Sequence, residues 1–135
     1  MGFKIQDANL SVSIALPTGA STVYSAGIDL GHGAAGDFVA EGEVKISAPA
    51  LGATPLPDSR TMTYSIQHDT DAAFGTPVDL YPGVLVQTGA AGAGAAAATF
   101  TARLPVDVNR YIRLKAVGSY AGDKSGSSAT LEILS

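Results

Sequence analysis

Apolar residues fall at every second position along much of the chain, a period of two that marks strands with one buried face. From Arg60 to His68, Met62, Tyr64 and Ile66 share one face, while Thr61, Thr63, Ser65 and Gln67 share the other. Val44, Ile46 and Ala48 alternate with Glu43, Lys45 and Ser47, and Phe100, Ala102 and Leu104 alternate with Thr99, Thr101 and Arg103. Ile112, Leu114 and Ala116 alternate with Tyr111, Arg113 and Lys115, and Leu131 and Ile133 repeat the pattern. Tyr24 to Leu30 adds one more segment, and Val78 to Tyr81 and Val84 to Gln87 add two short ones. Separated by turns rich in Gly, Pro and Asp, these segments predict about eight strands, the spacing of an all-β sandwich or barrel.

Two regions stand apart from that series. Leu10, Val12, Ile14 and Leu16 alternate with Ser11, Ser13 and Ala15 ahead of the breaker Pro17-Thr18-Gly19. Residues 1–20 are therefore either a first edge strand or an N-terminal arm that adds to a neighbour's sheet edge, with residues 21–135 forming the sandwich domain. The run Gly89 to Ala98, "GAAGAGAAAA", is rich in alanine, but each of its glycines costs a helix about 1 kcal/mol relative to Ala, which predicts a mobile loop.

A chain of 135 residues is the size of one domain with one core. Charged residues make up only 15% of it, against roughly 25% in ordinary soluble domains, so its surface must consist largely of Ser, Thr, Ala and Gly. The net charge of −4 argues against nucleic acid as a partner, because phosphate backbones call for concentrated Lys and Arg. No apolar run approaches the roughly 20 residues of a spanning helix, and no membrane partner is expected. With no cysteine, thiolate metal sites and cysteine nucleophiles are excluded. The start of the chain lacks the pattern of a signal peptide, and Gln6 breaks the myristoylation pattern.

The stretch "HDTDAAFG", His68 to Gly75, gathers a histidine and two carboxylates, and it invites a metal or acid-base reading. A calcium loop beginning at Asp69 would need a carboxylate-type ligand at its fifth position, Gly at its sixth and Glu at its twelfth; Ala73, Phe74 and Leu80 stand there. A structural turn is expected instead: His68 caps a strand, Asp69 or Thr70 caps a single helical turn over Asp71 to Phe74, the Phe folds back on the core, and Gly75 ends the turn. The segment from Gly118 to Ser125, "GSYAGDKS", has one residue too few between its glycines for a phosphate loop, with Asp123 intruding before Lys124 and a strand following, so a hairpin loop is expected. Gly89, Gly92 and Gly94 do not match a dinucleotide fingerprint, and His32 and His68 lack a Gly-x-Ser-x-Gly partner. Pairs such as Glu41/Glu43 and Asp69/Asp71 read as solvated turns. No catalytic, cofactor-binding or metal residues are assigned, and no enzyme is expected.

Residues 61–102 hold no Lys or Arg, whereas Arg103, Arg110, Arg113 and Lys115 cluster just beyond with only Asp107 opposing them. Tyr111, Arg113, Lys115 and Val117 share one strand face, which faces water, meets a protein partner or, third given the overall acidity, stacks nucleic-acid bases.

The runs "TYSIQHDTDAAFGTPVDL" and "ARLPVDVNRYIRLKAVGSYAGDKSGSSATLEIL", with "SAGIDLG" before them, resemble the small capsid cement, or decoration, proteins of tailed bacteriophages. In that family a strand passes into a "D-A-A-F" turn, and a Leu-Pro segment leads to an "R-Y-I/L-R-L" strand and a Gly/Ser/Thr-rich last hairpin. The resemblance runs from about Ser21 to Leu134. It implies an antiparallel jelly-roll-like β-sandwich on the outer capsid surface of a virion, with the major capsid protein as partner, a homo-oligomeric state (dimer or trimer at a capsid symmetry axis) and no cofactor. Under that reading Phe3, Ile5, Tyr111, Arg113 and Lys115 are the expected partner interface. A carbohydrate-binding or adhesion module is the alternative, disfavoured by the lack of Trp and a count of only five Tyr, and a tail or fibre subunit is another.

Overall fold

The computed structural model describes residues 6–30, 43–105 and 108–134, with 6–10 and 134 described as backbone. Among them are nine strands: β1 (Gln6–Ala15), β2 (Thr22–Tyr24), β3 (Ile28–Asp29), β4 (Glu43–Ala48), β5 (Thr61–Asp69), β6 (Val78–Thr88), β7 (Ala98–Arg103), β8 (Tyr111–Gly118) and β9 (Ser128–Leu134). They form two antiparallel sheets, one ordered β1-β9-β4-β7 and the other β2-β8-β5-β6 with β3 also on β8. Each strand pairs with its mirror image in the chain order: β1 with β9, β2 and β3 with β8, β4 with β7, β5 with β6. That is the rolled-up hairpin of a jelly roll, with β2 and β3 as two halves of one strand. Among the described residues no helix is long and apolar enough to cross a membrane.

The alternation seen in the sequence is the alternation of burial. Val44, Ile46, Met62, Tyr64, Ile66, Ile112, Leu114, Ala116, Leu131 and Ile133 point between the sheets and are almost fully enclosed. Leu16 is buried with them, and Val12 and Ile14 pack against the cluster from β1, which closes the first sheet beside β9. Phe100 and Ala102 are only half-buried, because β7 is an edge strand and lies at the rim of the core.

Three elements differ from the sequence reading. The two short segments around Val78 and Val84 are one strand, β6, bent by register shifts opposite Ser65 and Ile66 where Pro82 and Gly83 interrupt the ladder. The Tyr24 to Leu30 segment is broken at Ser25, whose hydroxyl accepts the Leu114 amide at 2.9 Å in place of a backbone carbonyl and so carries the pairing across the break. The loop of residues 89–97 is pinned to the β4–β5 loop. Leu51 bridges Ala95, Asp58 bridges Gly89, and the Gly92 amide donates to Asp58 at 2.9 Å. Beneath it the buried Tyr64 hydroxyl donates to Gln87 at 2.7 Å, and the Gln87 amide reaches the carbonyls of Pro49 and Ala96, so both loops share one buried polar anchor.

Candidate functional site

The strand pairing lays out the outer face of the second sheet in rows. Val86, Thr63, Val117 and Thr22 form one row; Ser65, Lys115 and Tyr24 form the next; Asp79, Gln67 and Arg113 follow; Asp69, Tyr111 and Asp29 form the last. Tyr111, Arg113 and Lys115 thus share this face, half-buried. Phe3 and Ile5 lie outside the described residues, as do His32, Glu41 and Asp107.

Arg113 is held from three sides. Its guanidinium carbon sits 4.0 Å from the centre of the Tyr24 ring and 4.4 Å from that of Phe74, a stacked arrangement that attracts a cation to the ring faces. Its Nε donates to Gln67 Oε1 at 2.9 Å, and Gln67 Nε2 donates to Asp79 Oδ1 at 2.9 Å. Burial pulls the guanidinium's affinity for its proton down, and Tyr24 and Asp69 pull it the other way. Tyr24 remains 44% exposed on the outer side of this stack. Arg110 instead lies at the surface, bidentate to Asp29 at 2.8 and 3.0 Å, which raises its pKa.

The "HDTDAAFG" stretch forms a turn at the end of β5. Asp69 Oδ1 accepts the Asp71 amide at 3.1 Å and Asp69 Oδ2 accepts the Thr76 amide at 3.0 Å. Burial pushes this carboxyl up, but the amides of Asp71, Thr76 and Thr70 outweigh it, and it titrates below the ordinary carboxylate range. Asp71 accepts the Ala73 amide at 3.0 Å, and the Phe74 amide closes the turn on the Asp71 carbonyl at 2.9 Å. The local geometry is a pair of Asx turns and not the helical turn expected from the sequence. Phe74, at φ +54°, takes the left-handed position expected of Gly75. Its ring does not enter the core: it covers Arg113 on the outside of the sheet, against Gly27, where a Cβ would stand 2.8 Å from the ring edge. His68 Nδ1 accepts the Asn109 amide at 3.1 Å. Among the described residues no three His, Cys, Asp or Glu side chains come together as ligands for a metal ion.

At the opposite end of the sandwich, Lys124 is buried and donates to the carbonyls of Gly122, Tyr120 and Gly19 at 2.7, 2.9 and 3.4 Å. Desolvation lowers its pKa, Asp123 opposes that, and the three carbonyls stand in for water. The ammonium is thereby aimed into its own hairpin loop and away from any phosphate outside it.

Sequence reasoning missed Tyr24, Phe74 and Gln67 as partners of Arg113. Their separations along the chain hide the contact; the available signal is that the "D-A-A-F" and "R-Y-I-R-L" segments occur together in one resemblance.

What this face can do is present a fixed surface whose charges are mostly tied to neighbouring groups, Arg113 to Gln67 and the rings and Asp79 to Gln67. Asp69, its most enclosed carboxylate, has both oxygens committed to backbone amides.

No protein-family model matches the chain. No curated protein matches it either. Among solved structures it is similar to the PBSX exported protein XepA, with a TM-score of 0.55 and 15% identity over 98% of this chain and 37% of that one. The chain therefore spans little more than a third of XepA's length, and the likeness is one of fold. It is more distantly similar to the infectious bursal disease virus VP2 subviral particle (TM-score 0.39, 17% identity, 98% of this chain and 31% of that one). A similar distance separates it from carbohydrate-binding module CBM36 (TM-score 0.34, 10% identity, 98% and 97%). These last two are too remote to define a shared fold. The class is set by the chain's own topology, an antiparallel jelly-roll β-sandwich.

Proposed function

We propose that the chain is a virion structural protein: a cement protein that binds the outer surface of a tailed-phage capsid, bridges neighbouring major capsid proteins and stabilises the head. It acts as a homo-oligomer, without a catalytic group or cofactor. The observation that carries this reading is the contact between the two segments on which the cement-protein resemblance rests. The Phe74 ring of "D-A-A-F" lies on the Arg113 guanidinium of "R-Y-I-R-L", so two distant motifs form one structural brace on the outer face of the second sheet. A binding platform needs such rigidity, and the neighbouring Lys115 and exposed Tyr24 supply a cation and a ring for a partner to meet.

The test is to add purified chain to heads of the phage that encodes it and to image the particles. Extra density at regular sites on the outer shell, with heads that survive heating better, is the expected result. Bare heads with binding on a glycan array would replace this reading with a carbohydrate-binding module, and density confined to the tail would replace it with a fibre subunit.

A further inference from the structure

A sandwich has four lateral edges, and each exposes a row of backbone donors and acceptors that another strand can complete. Three of these edges are interrupted. The β2/β3 edge consists of pieces of 3 and 2 residues separated by the Ser25 break. The β6 edge is bent twice by register shifts and carries Pro82 and Gly83. On the β1 edge the register slips between Gln6 and Ser11, and Pro17 follows directly on Leu16. The β7 edge has none of these devices, and among the described residues another side chain reaches its backbone only at its last residue, where the Tyr81 hydroxyl donates to the Arg103 carbonyl. All six of its residues pair with β4 in unbroken register, Ala98 to Ala48 through Arg103 to Glu43. Its sequence, "ATFTAR", has no Pro, Gly or Lys and a single charge at its end, the composition of a strand that pairs and not of one that repels pairing.

The same six residues suit an antiparallel copy of themselves. With Thr101 on a two-fold axis, Thr101 faces its counterpart, Phe100 faces Ala102 on the inner side, and Thr99 faces Arg103 on the outer side. A large side chain then lies beside a small one, threonines lie side by side, and the two arginines stay apart. Phe100 is left half-buried at the rim in one copy, braced edge-on by Tyr81 with ring centres 5.8 Å apart, and a second copy would cover it.

We propose that β7 is a self-association edge, at which two copies of the chain join their β1-β9-β4-β7 sheets into one continuous eight-stranded sheet through isologous β7–β7 pairing. The pairing rests on edge geometry and not on the virion reading, so either can fail without the other.

The absence of cysteine allows a direct test on the isolated full chain. In this register the Cα atoms of Thr101 and its counterpart lie about 4.5 or 5.5 Å apart, depending on the pair type, and both distances suit a disulfide. Thr101→Cys should therefore oxidise to a covalent dimer, whereas Ser47→Cys, on the outer face of an interior strand, should not. In sedimentation velocity the wild-type chain should dimerise, and Thr101→Lys should weaken dimerisation roughly tenfold or more by setting like charges opposite each other. If Thr101→Lys melts early, the cysteine readout decides the matter. A wild-type chain that stays monomeric at high micromolar concentration overturns the proposal. So does a Thr101→Cys variant that cross-links no better than Ser47→Cys, or one that cross-links only to Ser13→Cys on the β1 edge of another copy.

Discussion

Asp69 shows how one side chain converts an apparent site into a scaffold. Two carboxylates and a histidine in four residues look like ligand chemistry, yet both oxygens of Asp69 accept backbone amides and His68 accepts another. The consequence is a pH dependence of known sign. The folded carboxyl titrates below its ordinary range while the unfolded one titrates near pH 4, so in acid the unfolded chain takes up the proton first. Asp69 therefore contributes its full stabilisation above about pH 4 and loses it as pH falls toward the folded value. Asp69→Asn should lower the melting temperature at pH 7 and flatten its decline between about pH 5 and pH 2.5. Some decline should remain, because the hydroxyl and amide of Ser125 depress Asp123 in the same direction. Melts recorded across that range by circular dichroism check both points.

At the scale of elements, the alternating segments were legible because burial on one face imposes the period of two that the sequence displays. The loop of residues 89–97 was not. Its glycines read as helix breakers, but their role is close approach: a Cβ on Gly94 would fall 1.9 Å from the Leu51 carbonyl oxygen, and one on Gly89 would fall 2.2 Å from that of Pro57. Gly92 shares the left-handed backbone of Gly94, at φ +67°, but has nothing within 4 Å of its Cβ position. Gly92→Ala should therefore cost only the conformational penalty, about 1 kcal/mol. Gly94→Ala, at φ +71°, adds a backbone clash and should cost about 3 kcal/mol or more, since it forces the loop off the β4–β5 loop. Urea denaturation of the two variants separates the cases. Equal losses would mean that the loop is not held by this docking.

Across the whole molecule, the rolled topology brings residues from opposite ends of the chain onto one surface, and the two basic residues of β8 acquire different roles there. Arg113 is tied to Tyr24, Phe74 and Gln67, and it braces the β5–β6 turn against the sheet. Lys115 shares a row with Tyr24 and lies next to that brace. Lys115→Glu should leave the stability within about 1 kcal/mol of wild type, as surface substitutions usually do, and under the proposed cement function it should reduce capsid occupancy in the binding assay. Arg113→Ala should instead destabilise the fold, by about 1–2 kcal/mol for the lost stacking and hydrogen bond. If Lys115→Glu leaves occupancy unchanged, this face does not meet the shell.

By itself the sequence determined the buried faces of β4, β5, β7, β8 and β9, because period-two alternation is a local consequence of the extended backbone. It also showed that the acidic turn and the hairpin at Lys124 lack the spacing of a calcium loop and of a phosphate loop, since ligand spacing is a local property. Only the tertiary structure decided that the strands pair first with last and so roll into a jelly roll. It also decided that Phe74 covers the outside of a sheet instead of entering the core, and that the alanine-glycine loop is docked. Each of these depends on contacts between segments tens of residues apart. A hydrophobic pattern specifies that a face must be covered, but the covering partner is chosen by competition among all the faces when the chain closes on itself.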